Sequence, residues 1–77
     1  MYSNKLYVLV SAEDGNPLYN MMFNSLFTLR DYLIKYDGSA RGVEYEFNSE
    51  GIAKETKNVY TVNYKNELKI CDHVPWD

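Results

Sequence analysis

One stretch, NSLFTLRDYLIKYDG at residues 24 to 38, carries a helical period, and every other apolar run of the chain is short and strand-like. That imbalance constrains the fold more than any other feature. A lone helix covers one face of a sheet, so the other apolar faces must find cover elsewhere or stay wet.

The strand signals come in order. Lys5 to Ala12 (KLYVLVSA) is rich in valine, leucine and tyrosine, and Glu13-Asp14-Gly15-Asn16-Pro17 concentrates turn formers with Asp-Gly as pivot. Leu18 to Phe23 then returns as a second strand, with Pro17 suited to a strand start or a sheet edge. Ser25 is placed to cap the helix through its hydroxyl, although Thr28 stands where a capping box would have Glu or Gln. The helix should run to about Tyr36, where Asp37-Gly38 offers a left-handed exit and Ser39 to Arg41 a short linker. Gly42 to Phe47 alternates cleanly, a strand occupies some of Ile52 to Tyr64, above all Asn58 to Tyr64, and Lys65-Asn66 turns into a last strand, Leu68 to Val74. Pro75-Trp76-Asp77 ends the chain. The order β-β-α-β-β-β predicts a single α+β domain over residues 1–77, an antiparallel sheet with one helix packed on one face.

On the helix, Leu26, Leu29, Leu33 and Tyr36 form one stripe with Tyr32 on its margin. Phe27 and Ile34 lie on a neighbouring flank with Arg30 between, leaving Thr28, Asp31 and Lys35 as the polar back. That apolar arc is roughly twice the ~100° an ordinary surface helix needs. The first strand shows the same excess, with Leu6, Val8 and Val10 on one side and Tyr7 and Leu9 on the other. In the third strand Val43, Tyr45 and Phe47 oppose Glu44 and Glu46, which predicts one wet side carrying both glutamates. Two outcomes are open: Phe27 and Ile34 tuck under a loop or under Val74-Pro75-Trp76, or one surplus face is an interface.

Composition sets the limits. The single cysteine, Cys71, permits no internal disulfide, and no Cys/His cluster suggests a structural metal or a cofactor site. Packing must therefore hold a chain of 77 residues, a size near the low end of independent folding. Eight tyrosines, three phenylalanines and one tryptophan supply it, each worth at most ~4–6 kcal/mol of gross transfer at ~25 cal/mol/Å² over ~150–250 Å². A net charge of −3, with eight scattered lysines and arginines, gives no basic stripe for phosphates. A tyrosine-rich sheet could stack single-stranded bases, but the missing basic groove weighs against nucleic acid. No signal peptide and no apolar run of ~20 residues is visible, so a soluble cytoplasmic protein without a membrane segment is expected.

Few residues suggest chemistry. Cys71-Asp72-His73 would place thiol and imidazole on one strand face about 6.5–7 Å apart along the backbone, beyond the contact that nucleophile and base require. Glu44 and Glu46 suit recognition of a basic partner better than acid/base work, and two carboxylates fall short of a divalent-metal shell. No enzyme is expected.

The strand-strand-helix-strand order over residues 5 to 47, with a short helix opening at Ser and followed by a Gly-containing turn, resembles small bacteriophage host-takeover and anti-defence proteins. The resemblance implies a protein-binding inhibitor of a host macromolecule or defence enzyme; it rests on size and element order and transfers no residues. The docking residues expected here are Phe27, Arg30 and Ile34, then Tyr7 and Trp76, with Glu44 and Glu46 setting orientation. The alternative is a homodimeric assembly subunit whose surplus face is self-complementary.

Overall fold

A computed structural model describes residues 4–76; Asp77, which closes the sequence, lies outside the described residues. The elements are β1 (Lys5–Ser11), β2 (Pro17–Phe23), α1 (Leu26–Lys35), β3 (Ala40–Phe47), β4 (Ala53–Val62) and β5 (Leu68–Ile70). The strands form one antiparallel sheet in the order β2-β1-β3-β4-β5, and α1 packs across one face. The expected α+β architecture is the one observed.

Local chemistry accounts for the element ends. The Ser25 hydroxyl accepts from the Phe27 N–H at 3.2 Å, capping α1. Asp37 and Gly38 then take positive φ, which lets the chain leave the helix and enter β3 at Ala40, inside the expected linker. In β2, Tyr19 and Asn20 both sit at positive φ, and the pairing with β1 shifts register between Val8 and Val10. That is a bulge within the edge strand.

The helix lies over Tyr7 and Leu9 of β1, Phe23 of β2 and Ala40 of β3, with Leu29 and Leu33 buried between the layers. Small residues on β3 let α1 approach closely. A Cβ at Gly42 would stand 2.6 Å from both Leu29 methyl carbons. Phe23 stacks on Tyr32 at 4.8 Å between ring centres, and Tyr7 meets Tyr60 edge-on at 5.8 Å.

The opposite face has its own cover. Val10, Val43 and Val59 are buried with Val74, and Val8, Tyr45, Cys71 and Trp76 pack around them. The chain leaves β5 after Ile70, four residues short of the expected strand end, and runs back across this face. Trp76 rests on the β1–β2 turn, where a Cβ on Gly15 would stand 2.6 Å from its ring. The C-terminal segment therefore covers the second face of the sheet, and not Phe27 and Ile34.

Candidate protein-docking surface

Of the predicted docking residues, Tyr7 is 5% exposed and lies beneath α1, so it is removed from any docking surface. Leu9 is likewise enclosed. Trp76 is half-buried against Gly15 on the far side of the sheet, away from the helix.

Glu44 also departs from expectation. It pairs across from Tyr7, and it is 2% exposed. The cause is a reversal of faces: the valine and aromatic side of β3 meets the C-terminal segment, while Ala40, Gly42 and Glu44 face the helix layer. Between the pairs Val43↔Val59 and Tyr45↔Glu55, Glu44 alone faces Thr56, Lys57 and Asn58, with Lys57 at positive φ. This bulge brings a set of donors together. Thr56 Oγ1 donates to Glu44 Oε1 at 2.8 Å, Asn58 Nδ2 donates to the same oxygen at 3.1 Å, and Tyr60 Oη donates to Oε2 at 3.1 Å. The Lys5 ammonium lies 3.4 Å from Glu44 Oε1 and 3.4 Å from Glu46 Oε2.

Burial acts to raise the Glu44 pKa, but the three donors and the Lys5 charge outweigh it and hold the carboxyl below its ordinary value. Burial and then the Glu44 charge push Tyr7 and Tyr60 upward. A carboxylate so well partnered is a structural anion, unsuited to contacting a partner. Glu46, at 49% side-chain exposure, remains available.

Several large apolar side chains stay open, Tyr19 and Tyr64 among them, and those at the N-terminal end of α1 and along β5 adjoin one another. Phe27 is 80% exposed. Leu26, Phe27, Arg30 and Leu68 line an open apolar dent of about 300 Å³. Ile70 is 53% exposed and pairs with Tyr60, two residues along from Leu68, so it extends the same face. Arg30 closes the rim: its Nε donates to the Asn66 carbonyl at 2.7 Å, tying the helix to the β4–β5 turn. Ile34 is half-buried against that hairpin, lining a dent with Val62 and Tyr64. The structure thus brings Phe27 and Arg30 together, places Ile34 beside them, and adds Leu26, Leu68 and Ile70. Periodicity assigns Leu26 to the core stripe, yet it is exposed here, and no pattern in the sequence marks Leu68 and Ile70 as its neighbours.

The remaining chemistry-bearing residues do not assemble. Cys71 is half-buried in the valine cluster, where burial raises its thiol pKa and the Arg41 guanidinium opposes that, while His73 is exposed beyond the end of β5. Among the described residues, no group of three or more His, Cys, Asp or Glu is placed to hold a metal ion, and no helix is long and apolar enough to cross a membrane. No protein-family model, curated protein or solved structure matches this chain.

Proposed function

We propose that this chain is a non-enzymatic protein-binding module, phage- or mobile-element-encoded, that acts by occluding a surface of a larger host protein. The observation that carries the reading is Phe27. A phenyl ring four-fifths exposed lines a largely apolar dent with Leu26 and Leu68, and Arg30, hydrogen-bonded to the Asn66 carbonyl, edges it. Aromatic residues and arginine at the centre of such a patch are the types that dominate binding energy. The ring contributes little to the fold where it stands, so its placement is better explained by a partner than by packing. The element order, which resembles that of small phage host-takeover proteins, directs the search to a bacterial host protein.

The test compares three forms of the chain, each first measured for solution mass. A partner captured from bacterial lysate by the unaltered chain is purified and titrated against Phe27→Glu and against Ile52→Glu, the latter an exposed control outside the dent. Phe27→Glu should retain its folding stability within about 0.5 kcal/mol and lose about 2 kcal/mol of binding, roughly 30-fold. Ile52→Glu should bind unchanged. Equal binding by all three removes the reading, and concentration-dependent dimerisation abolished by Phe27→Glu replaces it with self-association.

A further inference from the structure

The outer edge of β5 gives the docking surface a backbone component. Among the described residues β5 is the last strand of the sheet, paired on one side only, to β4. The ladder can be phased from its two ends. The Asn63 N–H donates to the Glu67 carbonyl at 3.0 Å, and the Cys71 N–H donates to the Val59 carbonyl at 2.7 Å. Between them the register is Val62↔Leu68, Thr61↔Lys69 and Tyr60↔Ile70. Antiparallel ladders alternate strictly, so Lys69 directs its N–H and C=O toward β4, as do the Glu67 carbonyl and the Cys71 N–H, and Leu68 and Ile70 direct theirs outward. The same two residues send their side chains to the helix face, beside Leu26 and Phe27. An extended chain laid along this edge would meet four backbone hydrogen-bonding groups and an apolar shelf at the same two positions.

Lys69 selects the occupant. It is exposed on the opposite face, between the two outward-facing residues. If two copies of β5 paired antiparallel with full overlap, Leu68 would face Ile70 of the other copy, and Lys69 would face Lys69 in the narrow pair, with Cα atoms ~4.5 Å apart. Like charges directly opposed are destabilising. The strand that fits carries the opposite sign at its centre. Resting on the docking function proposed above, we infer that the partner supplies an extended segment of pattern apolar–acidic–apolar, which adds to β5 as a sixth strand. Its apolar side chains lie against Leu68, Ile70 and Phe27, and its carboxylate faces Lys69. This is strand addition, in which main-chain bonds supply affinity and alternate side chains supply selectivity.

The probe is an acetylated, amidated heptapeptide, Thr-Thr-Val-Glu-Val-Thr-Thr, titrated into the ¹⁵N-labelled chain, with a second peptide carrying Lys in place of Glu. The Glu peptide should shift the Leu68 and Ile70 amide signals at millimolar concentration and slow their solvent exchange. The Lys peptide should bind about fivefold more weakly. Ile70→Pro removes an outward N–H and leaves the β4 ladder intact, so it should abolish peptide binding while the Val10, Val43 and Val74 signals stay in place. Lys69→Glu, which disturbs no ladder bond, should reverse the preference between the two peptides. Absence of shifts at Leu68 and Ile70, or equal affinity for both peptides, overturns the inference. A purified partner that loses binding to Phe27→Glu but binds Ile70→Pro in full also overturns strand addition while leaving the docking reading intact.

Discussion

Gly42→Ala puts the layer spacing of this fold to a quantitative test. Gly42 is buried on β3 beneath the helix, and its φ lies outside the left-handed region, so alanine meets no backbone objection there. The obstacle is steric. The added Cβ would stand 2.6 Å from both methyl carbons of Leu29 and 3.0 Å from its Cγ, against the ~3.5–4.0 Å at which carbon atoms pack comfortably. About 1 Å of displacement is therefore needed. Leu29 cannot supply it by turning outward, because it is fully enclosed. Overpacking of this kind costs ~1–3 kcal/mol, and loss of glycine's freedom in the unfolded chain offsets ~0.4–1 kcal/mol, leaving a net loss of about 1–2 kcal/mol. For a domain of this size that lowers Tm by about 5–15 °C.

The assay is urea unfolding followed both by the fluorescence of Trp76, the only tryptophan, and by far-ultraviolet circular dichroism. Leu29→Ala alone should cost ~2–5 kcal/mol. Combined with Gly42→Ala, the two losses should fall short of additivity by about 1 kcal/mol or more, because the truncated side chain makes room for the new methyl group. A Gly42→Ala protein as stable as the parent, or two losses that simply add, would show that α1 does not rest on Gly42.

Two further outcomes follow from the buried groups. Because the Glu44 pKa is lowered in the folded state, the stability it contributes is complete above the unfolded value of ~4.3 and fades as pH falls through the lower folded pKa. Glu44→Gln should cost ~1–3 kcal/mol at pH 7 and show a flatter loss of urea midpoint between pH 5 and pH 3; parallel profiles for the two proteins would refute this. The raised Cys71 thiol should react with iodoacetamide at pH 7.5 about tenfold more slowly than glutathione and recover the ordinary rate in urea, measured by mass; free-thiol reactivity in the native state would contradict its burial.

Much of the secondary structure was legible because it depends on short-range rules. The Ser25 cap, the Asp37-Gly38 exit and the alternation of residues 42–47 all correspond to observed features. What alternation could not supply was the destination of each face. Val43, Tyr45 and Phe47 are the greasier side of β3, yet the face turned to the helix is the one with Ala40 and Gly42, because close approach favours small residues over apolar ones. That reversal buried Glu44 and took Tyr7 from the surface. The bulge that partners Glu44 depends on Lys57 at positive φ, a residue type with no turn signature. The covering segment was hidden for a similar reason: Cys71 to Val74 reads as more strand, and only tertiary packing on Val10, Val43 and Val59 turns it aside. Of the proposed docking surface, Phe27 and Arg30 were legible from helical spacing; Leu68 and Ile70 join them through a long-range pairing that no local pattern encodes.

The left-handed pair Tyr19-Asn20, with Pro17 at the strand start, has a consequence for how copies of this molecule can be arranged. It makes β2 a poor template for further pairing, whereas β5 at the far side offers the outward amides and carbonyls of Leu68 and Ile70. A sheet receptive at one margin and blunted at the other can accept a guest once and then stop. Growth by head-to-tail stacking, the route from a sticky margin to a fibre, needs two receptive margins, and among the described residues this architecture supplies one.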